Sequence, residues 1–335
     1  MSSAGDSPPL VPAGALATDR RDAPGGLGPG DPARPPVRRE RPLGQRLLPY
    51  LLSLPALLVC IGILVPFGTA IYYSLQRYRL SQPWARKMNW GENYWNFLTD
   101  SSFWQTLKVS LAYAGSTVVL ELLLGLGIAL LLQRRTRLNN LISIMLLMPL
   151  MTAPALAALM WKLMTNVNFG VLSWLAGLVG LESFQWASSP STALFTVVLV
   201  DIWVYTPFIM ILLLAGLRSL PRQPFEAAEL DGVPRWFVFR RITLPMLLPY
   251  IITAALFRLL DSIQQFDIIY AMTQGGPGDT LTVFQVEAYL DFFQSTNVGR
   301  SAALLMILWA ITYVLSSLFI KHWLKLRERA AGGIA

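Results

Sequence analysis

The sequence predicts an all-α integral membrane protein with six transmembrane helices. Hydrophobic residues make up 54% of the chain and charged ones only 14%, against the roughly 25% charge usual for soluble domains. The charges gather between long apolar runs instead of spreading along the chain. Six runs reach the roughly 20 residues needed to cross about 30 Å of hydrocarbon. They lie at about 47–75, 109–132, 140–164, 192–217, 246–271 and 302–324.

Before the first span, residues 1–42 are rich in Pro, Gly and Ala and poor in bulky apolar side chains. Such a segment buries too little surface to offset its ordering entropy, so it reads as a disordered tail. It does not read as a secretory signal, because the charged region is too long and the apolar run too extended. The six-span domain is then expected over 43–335. Cys60, the only cysteine, lies inside the first span, which excludes an internal disulfide and a thiolate metal site.

The first loop, about 76–108, carries Trp84, Trp90, Tyr94, Trp95, Phe97 and Trp104. Aromatic residues at that density beside a span form an interfacial belt; seating a docking protein is the other reading. Spans two and three follow, joined by Arg134, Arg135 and Arg137. Within 165–191, Val171–Leu175 is expected as a short lateral helix, too short to span. The fourth span contains Pro207, a candidate kink or pivot. Between spans four and five, 218–245 reads as two short helices. Pro224 suits N1 of the first, Gly232 the left-handed residue that ends it, and Pro234 the start of the second. Pro245 is expected to break the chain just before the fifth span. Gly275-Gly276-Pro277-Gly278 is a turn signal after that span.

The net charge of +8 reports topology and not nucleic-acid binding. Arg34, Arg38, Arg39, Arg41 and Arg46 precede the first span, and Arg218, Arg222, Arg235, Arg240 and Arg241 fill the central loop. Lys321, Lys325, Arg327 and Arg329 follow the last span. The opposite segments hold fewer basic residues, and 165–191 none. This bias puts both termini and the central loop in the cytosol. His322, the only histidine, sits at the cytosolic end of the last span, so a histidine-based catalytic site is not expected. The pattern Gly-x-x-x-x-Gly-Lys-Ser/Thr is absent, and with it a P-loop ATPase within this chain.

Polar residues inside spans are the candidate path, since an acid at mid-span costs about 2.5–3.5 kcal/mol. The fourth span offers Asp201 and Tyr205 on one face at i,i+4, with Trp203 nearby. The fifth offers Arg258, Asp261, Gln264, Gln265 and Asp267 over about half its circumference, an arc that must face protein or water. Flat aromatic faces beside Asp, Gln and Arg suit a polyol. Two readings stay open for the charged residues: a buried ion pair of Arg258 with Asp261 or Asp201, or pathway lining. Gln264 and Gln265, without charged partners in view, lean towards lining. Glu121 is expected to bond locally to Ser116 or Thr117.

The loop Glu226-Ala227-Ala228-Glu229-Leu230-Asp231-Gly232, continuing to Ile242-Thr243-Leu244-Pro245, resembles the EAA motif of bacterial ABC-importer permeases. Phe266-Asp267-Ile268-Ile269-Tyr270-Ala271-Met272-Thr273-Gln274-Gly275-Gly276-Pro277 is similar to a stretch common in sugar-type permeases of the maltose-transporter class, with Met272 in place of the usual Leu. The resemblance implies the type I importer permease fold in a bacterial inner membrane, and Glu226, Ala227, Ala228, Asp231, Gly232, Arg240, Leu244 and Pro245 as residues coupling it to an ATPase. It further implies a heterodimer with a second permease, two ATPase subunits that hold ATP and magnesium, an extracytoplasmic binding protein and a sugar cargo. No enzyme activity and no cofactor are expected in this chain. Glycerol-phosphate-type cargo and, more distantly, an ion-coupled carrier are the rival readings.

Overall fold

The computed structural model describes residues 43–332; the tail expected over 1–42 lies outside them. Contacts divide the chain into Met1–Val59, whose described part is the start of the first helix, and Cys60–Ala335, which holds all other elements. The helices are α1 (Leu43–Ser74), α2 (Glu92–Thr99), α3 (Ser101–Leu132), α4 (Arg137–Leu146), α5 (Pro154–Met164), α6 (Val171–Leu178) and α7 (Pro190–Ser219). They continue with α8 (Gln223–Leu230), α9 (Arg235–Val238), α10 (Leu244–Ile263), α11 (Asp267–Thr273), α12 (Phe284–Phe293) and α13 (Val298–Gly332). Among the described residues, five helical stretches are long and apolar enough to cross a membrane, and the α4–α5 pair makes a sixth if it counts as one span.

The third span, expected over 140–164, is bent: α4 and α5 meet at 93°. Pro149 and Pro154 bracket the bend, and each lacks the amide hydrogen a continuous helix needs. The fifth span departs in two ways. Pro245 does not break the chain; it sits in the first turn of α10. A π-helical turn, Phe239–Thr243, joins α9 directly to α10. At the other end α10 stops at Ile263, so Asp267 opens a separate helix and does not continue the polar arc.

The second span starts earlier than expected, at Ser101, because Asp100 accepts a hydrogen bond from the Ser102 amide and caps it. The lateral helix α6 runs to Leu178, beyond the expected Leu175. The loop before α3 also holds a two-stranded antiparallel hairpin, β1 (Gln76–Arg77) with β2 (Lys87–Met88), an exception to the all-α expectation. This hairpin packs on α13 through Gly299, where a Cβ would lie 2.1 Å from the Gln76 carbonyl oxygen. Of the loop's tryptophans, Trp84 and Trp90 are more than four-fifths exposed, as a belt or a docking surface requires.

Three apolar clusters hold Cys60–Ala335 together. One joins α5, α7 and α11 around Val197, Val200, Ile268 and Ile269. A second joins α2, α3, α12 and α13 around Phe97, Phe103, Phe284 and Leu304. The third joins α3, α7 and α10 around Ala129, Ile209, Leu213 and Ala254. Many contact residues are Ala or Val, since helix association in lipid depends on close packing more than on a hydrophobic drive. Within α1, Ile61, Ile63, Leu64 and Val65 are exposed, the surface of a helix that faces lipid or another protein.

Candidate functional site

Where α3, α7 and α10 cross, four charged side chains meet in one cluster. Arg258 of α10 is 1% exposed, and Glu121 of α3 and Asp201 of α7 are fully buried. Arg258 Nε donates to Glu121 Oε2 at 2.6 Å and its Nη2 donates to Glu121 Oε1 at 3.1 Å. Nη2 also donates to Asp201 Oδ2, and Nη1 donates to Asp261 Oδ2 at 2.6 Å. Every guanidinium nitrogen is engaged, as the planar fork of arginine permits. The Tyr205 ring lies under the cation, 4.0 Å from Cζ. Gln265 Nε2 donates to Asp201 Oδ1 at 3.3 Å, and the Thr117 and Ser262 hydroxyls meet at 3.1 Å. Burying charges is tolerated only with such complete pairing, so the cluster ties three spans into one unit.

The geometry sorts the expected path residues. Asp201, Tyr205, Arg258 and Asp261 come together, which answers the ion-pair question: Arg258 binds both aspartates at once. Glu121 does not bond to Ser116 or Thr117. Those hydroxyls donate to backbone carbonyls of their own helix, and Glu121 pairs with Arg258 of α10. Gln265 has a charged partner after all and is buried. Trp203 faces the other side of α7 and packs edge-on against Trp161 at 6.0 Å, as two residues of helical phase from Asp201 dictate. Gln264 is exposed and lines a groove of about 350 Å³ with Phe266, Gln285, Tyr289 and Phe293. Asp267 is exposed, while 53% of the Asp261 side chain remains open.

Between α7 and α10 the chain folds as the expected two-helix protrusion. Pro224 sits in the first turn of α8, with Glu226 beside it. The Gly232 amide donates to Glu229 O at 3.2 Å and the Val233 amide to Ala228 O at 3.0 Å. These bonds close α8 with Gly232 at φ +67°, the left-handed region that glycine occupies without strain. Glu226, Ala227, Asp231 and Arg240 are exposed, and Ala228 is buried against the body. Leu230, Trp236 and Phe237 also stand exposed, an apolar set unusual for a bare loop. Leu244 is half-buried and Pro245 exposed.

A second charged cluster escaped the sequence reading. Arg300 of α13 pairs with Asp291 at 2.9 Å, Glu287 at 3.3 Å and Asp100 at 3.8 Å, with its Cζ 4.5 Å from the Phe97 ring. Burial pushes the Glu287 and Asp291 carboxyls above the ordinary range, against the pull of Arg300. Asp100 is held below it, chiefly by the Ser102 amide. No local motif signals this cluster, because its members come from the ends of three helices.

A multi-pass bundle with a buried ionic clamp and an exposed helical protrusion between two spans has the architecture of a transport permease. The family described as "Binding-protein-dependent transport system inner membrane component" matches residues 121–329. The chain is 37% identical to the "Probable ABC transporter permease protein y4oQ" of Sinorhizobium fredii, covering 80% of this chain and 87% of that one. It is 32% identical to the "Trehalose/maltose transport system permease protein MalF" of Thermococcus litoralis, covering 84% and 94%. It is also 32% identical to the "Trehalose transport system permease protein SugA" of Mycobacterium tuberculosis, covering 83% and 89%. A solved bacterial ABC transporter "involved in the import of the acidic polysaccharide alginate" shares the fold, with TM-score 0.72 at 19% identity over 84% of this chain and 97% of that one. The chain belongs to the inner-membrane component family of binding-protein-dependent transport systems.

Proposed function

We propose that this chain is one permease subunit of a bacterial ATP-driven carbohydrate importer. It pairs with a second related permease and takes its energy from two ATPase subunits that hold ATP and magnesium. Cargo arrives from an extracytoplasmic binding protein, and both termini lie in the cytosol. The protrusion α8–α9 carries this reading. Its exposed Glu226, Asp231 and Arg240 beside Leu230 and Trp236 make a docking surface of mixed character. From Leu244 to Arg258, α10 runs about 21 Å at 1.5 Å per residue, and the π turn joins its start to α9. A push on the protrusion therefore has a direct route to the clamp along one helix, α10. The sugar class is supported by relatives named for trehalose and maltose transport and by the polar and aromatic residues around the clamp. Asp261 and Gln264, which keep open surface, are the path residues of this reading, with Asp267 and Tyr205 at its edges.

The test is uptake of labelled trehalose and maltose into vesicles holding the chain with its co-expressed partners. Uptake is expected to need ATP and to fall roughly five- to thirtyfold in Gly232→Val, while Gly232→Asn retains a larger part. A Cβ at Gly232 meets nothing within 4 Å, so the loss would be conformational, about 1–2 kcal/mol for a left-handed residue with a side chain. Uptake without ATP, or uptake indifferent to Gly232→Val, sinks the proposal.

A further inference from the structure

At the root of α8 lies a groove of about 460 Å³, walled by Arg134, Arg135, Arg218 and Arg222 on one side and by Glu226 and Glu229 on the other. Four cations against two acids leave an excess of two positive charges. Among the described residues none of the four arginines makes an ion pair, although both glutamates share the groove. Arg218 spends one nitrogen on the Leu132 carbonyl oxygen at 3.0 Å and on Asn140 Oδ1 at 3.4 Å, while its Nε is buried without a hydrogen-bond partner. A buried donor without a partner, set among converging like charges, is a place where an anion from outside can complete the hydrogen bonding.

The place of the groove names the anion. Arg134 and Arg135 follow the last residue of α3 by two and three positions, and Arg218 lies in the last turn of α7. With the spans expected over 109–132 and 192–217, all three fall at the cytosolic span ends, where hydrocarbon gives way to headgroups. Leu131 and Leu138, which flank the arginine pair, are 78% and 64% exposed, so acyl-facing surface begins within a turn of the guanidinium groups. Leu217 lines the groove itself. Basic pockets between membrane helices on the cytosolic side hold anionic headgroups in this manner. We propose that the groove takes the phosphate of an anionic lipid from the cytosolic leaflet, placing that lipid against the helix that receives the ATPase. The site rests on the inside–outside orientation given above and on nothing about the cargo.

The experiment reads lipid retention on the full chain purified with its co-expressed partners, exposed to equal phosphatidylglycerol and phosphatidylcholine and analysed by native mass spectrometry. Wild type is expected to retain phosphatidylglycerol in preference. Arg134→Gln/Arg135→Gln/Arg222→Gln should weaken that binding roughly a hundredfold, at about fivefold per arginine, with phosphatidylcholine retention unchanged as the folding control. Arg137→Gln/Arg235→Gln/Arg241→Gln removes equal charge outside the groove and should keep the preference. Equal retention of both lipids, or a preference that survives the first triple variant, overturns the proposal. Displacement by excess inorganic phosphate would make it a soluble-anion site instead. A preference seen only after the ATPase subunits are stripped would assign the arginines to that protein partner. Because uptake is not the readout, failure here leaves the transport assignment standing.

Discussion

Replacing Arg258 by Gln removes the one cation shared by two fully buried carboxylates. Glu121 loses bonds of 2.6 and 3.1 Å, and Asp201 loses its charged partner. Breaking a buried pair from one side costs about 3–5 kcal/mol, because a charge is left behind without compensation. Asp261→Asn touches the same guanidinium but at a carboxylate 53% open, where solvent screening holds the loss to about 0–1 kcal/mol. The triple variant Glu121→Gln/Asp201→Asn/Arg258→Gln removes every buried charge of the cluster and leaves amides that can hydrogen-bond to one another. It should recover most of the lost stability. Unfolding in mixed micelles by increasing sodium dodecyl sulfate, followed by tryptophan fluorescence, ranks the three variants. If Arg258→Gln costs no more than Asp261→Asn, or the triple variant is no better than the single one, the clamp is not what holds the three spans together.

The outer cluster gives a pH prediction. The folded-state pKa values of Glu287 and Asp291 are raised by burial, so the folded state binds more protons than the unfolded one. Stability from this pair is then present at low pH and lost as pH rises from the ordinary range, near 4.5 and 3.8, through the folded-state values. Asp100, lowered below 3.8, acts in the opposite sense and only at still lower pH. Hydrogen exchange in α12, corrected for intrinsic rates, should show protection falling across that window, and Glu287→Gln should flatten the slope; protection that rises with pH would contradict the assignment. Gly299→Ala forces a Cβ against the Gln76 carbonyl oxygen and should cost about 1–3 kcal/mol. Protease nicking in the β1–β2 hairpin measures it, and unchanged cleavage would mean the contact yields easily.

Much of this was legible in the sequence because the bilayer forces its own pattern. Long apolar runs located the spans, and Pro224, Gly232 and Pro234 gave the protrusion almost residue by residue. What the pattern missed follows from its one-dimensional reach. Glu121 looked local because Arg258 is 137 positions away. Gln265 looked unpartnered because Asp201 is on another helix. The end of α10 at Ile263 is hidden because Gln264, Gln265 and Asp267 read equally well as the polar face of a continuing helix, with apolar Ile268 and Ile269 after them. The hairpin was hidden by its length of two residues per strand, too short for alternation to show.

The clamp also sets an order for the protein's birth. Glu121 and Asp201 precede Arg258 by 137 and 57 residues. At about 5–20 residues per second, the first acid enters the membrane on the order of ten seconds before its base is made. Each waits there at a cost of about 2.5–3.5 kcal/mol, so the first four spans are provisional tenants of the bilayer. The arrival of α10 neutralises both acids in one step. The same arginine that unites the finished helices therefore dates their assembly: until residue 258 leaves the ribosome, the bundle has no lock.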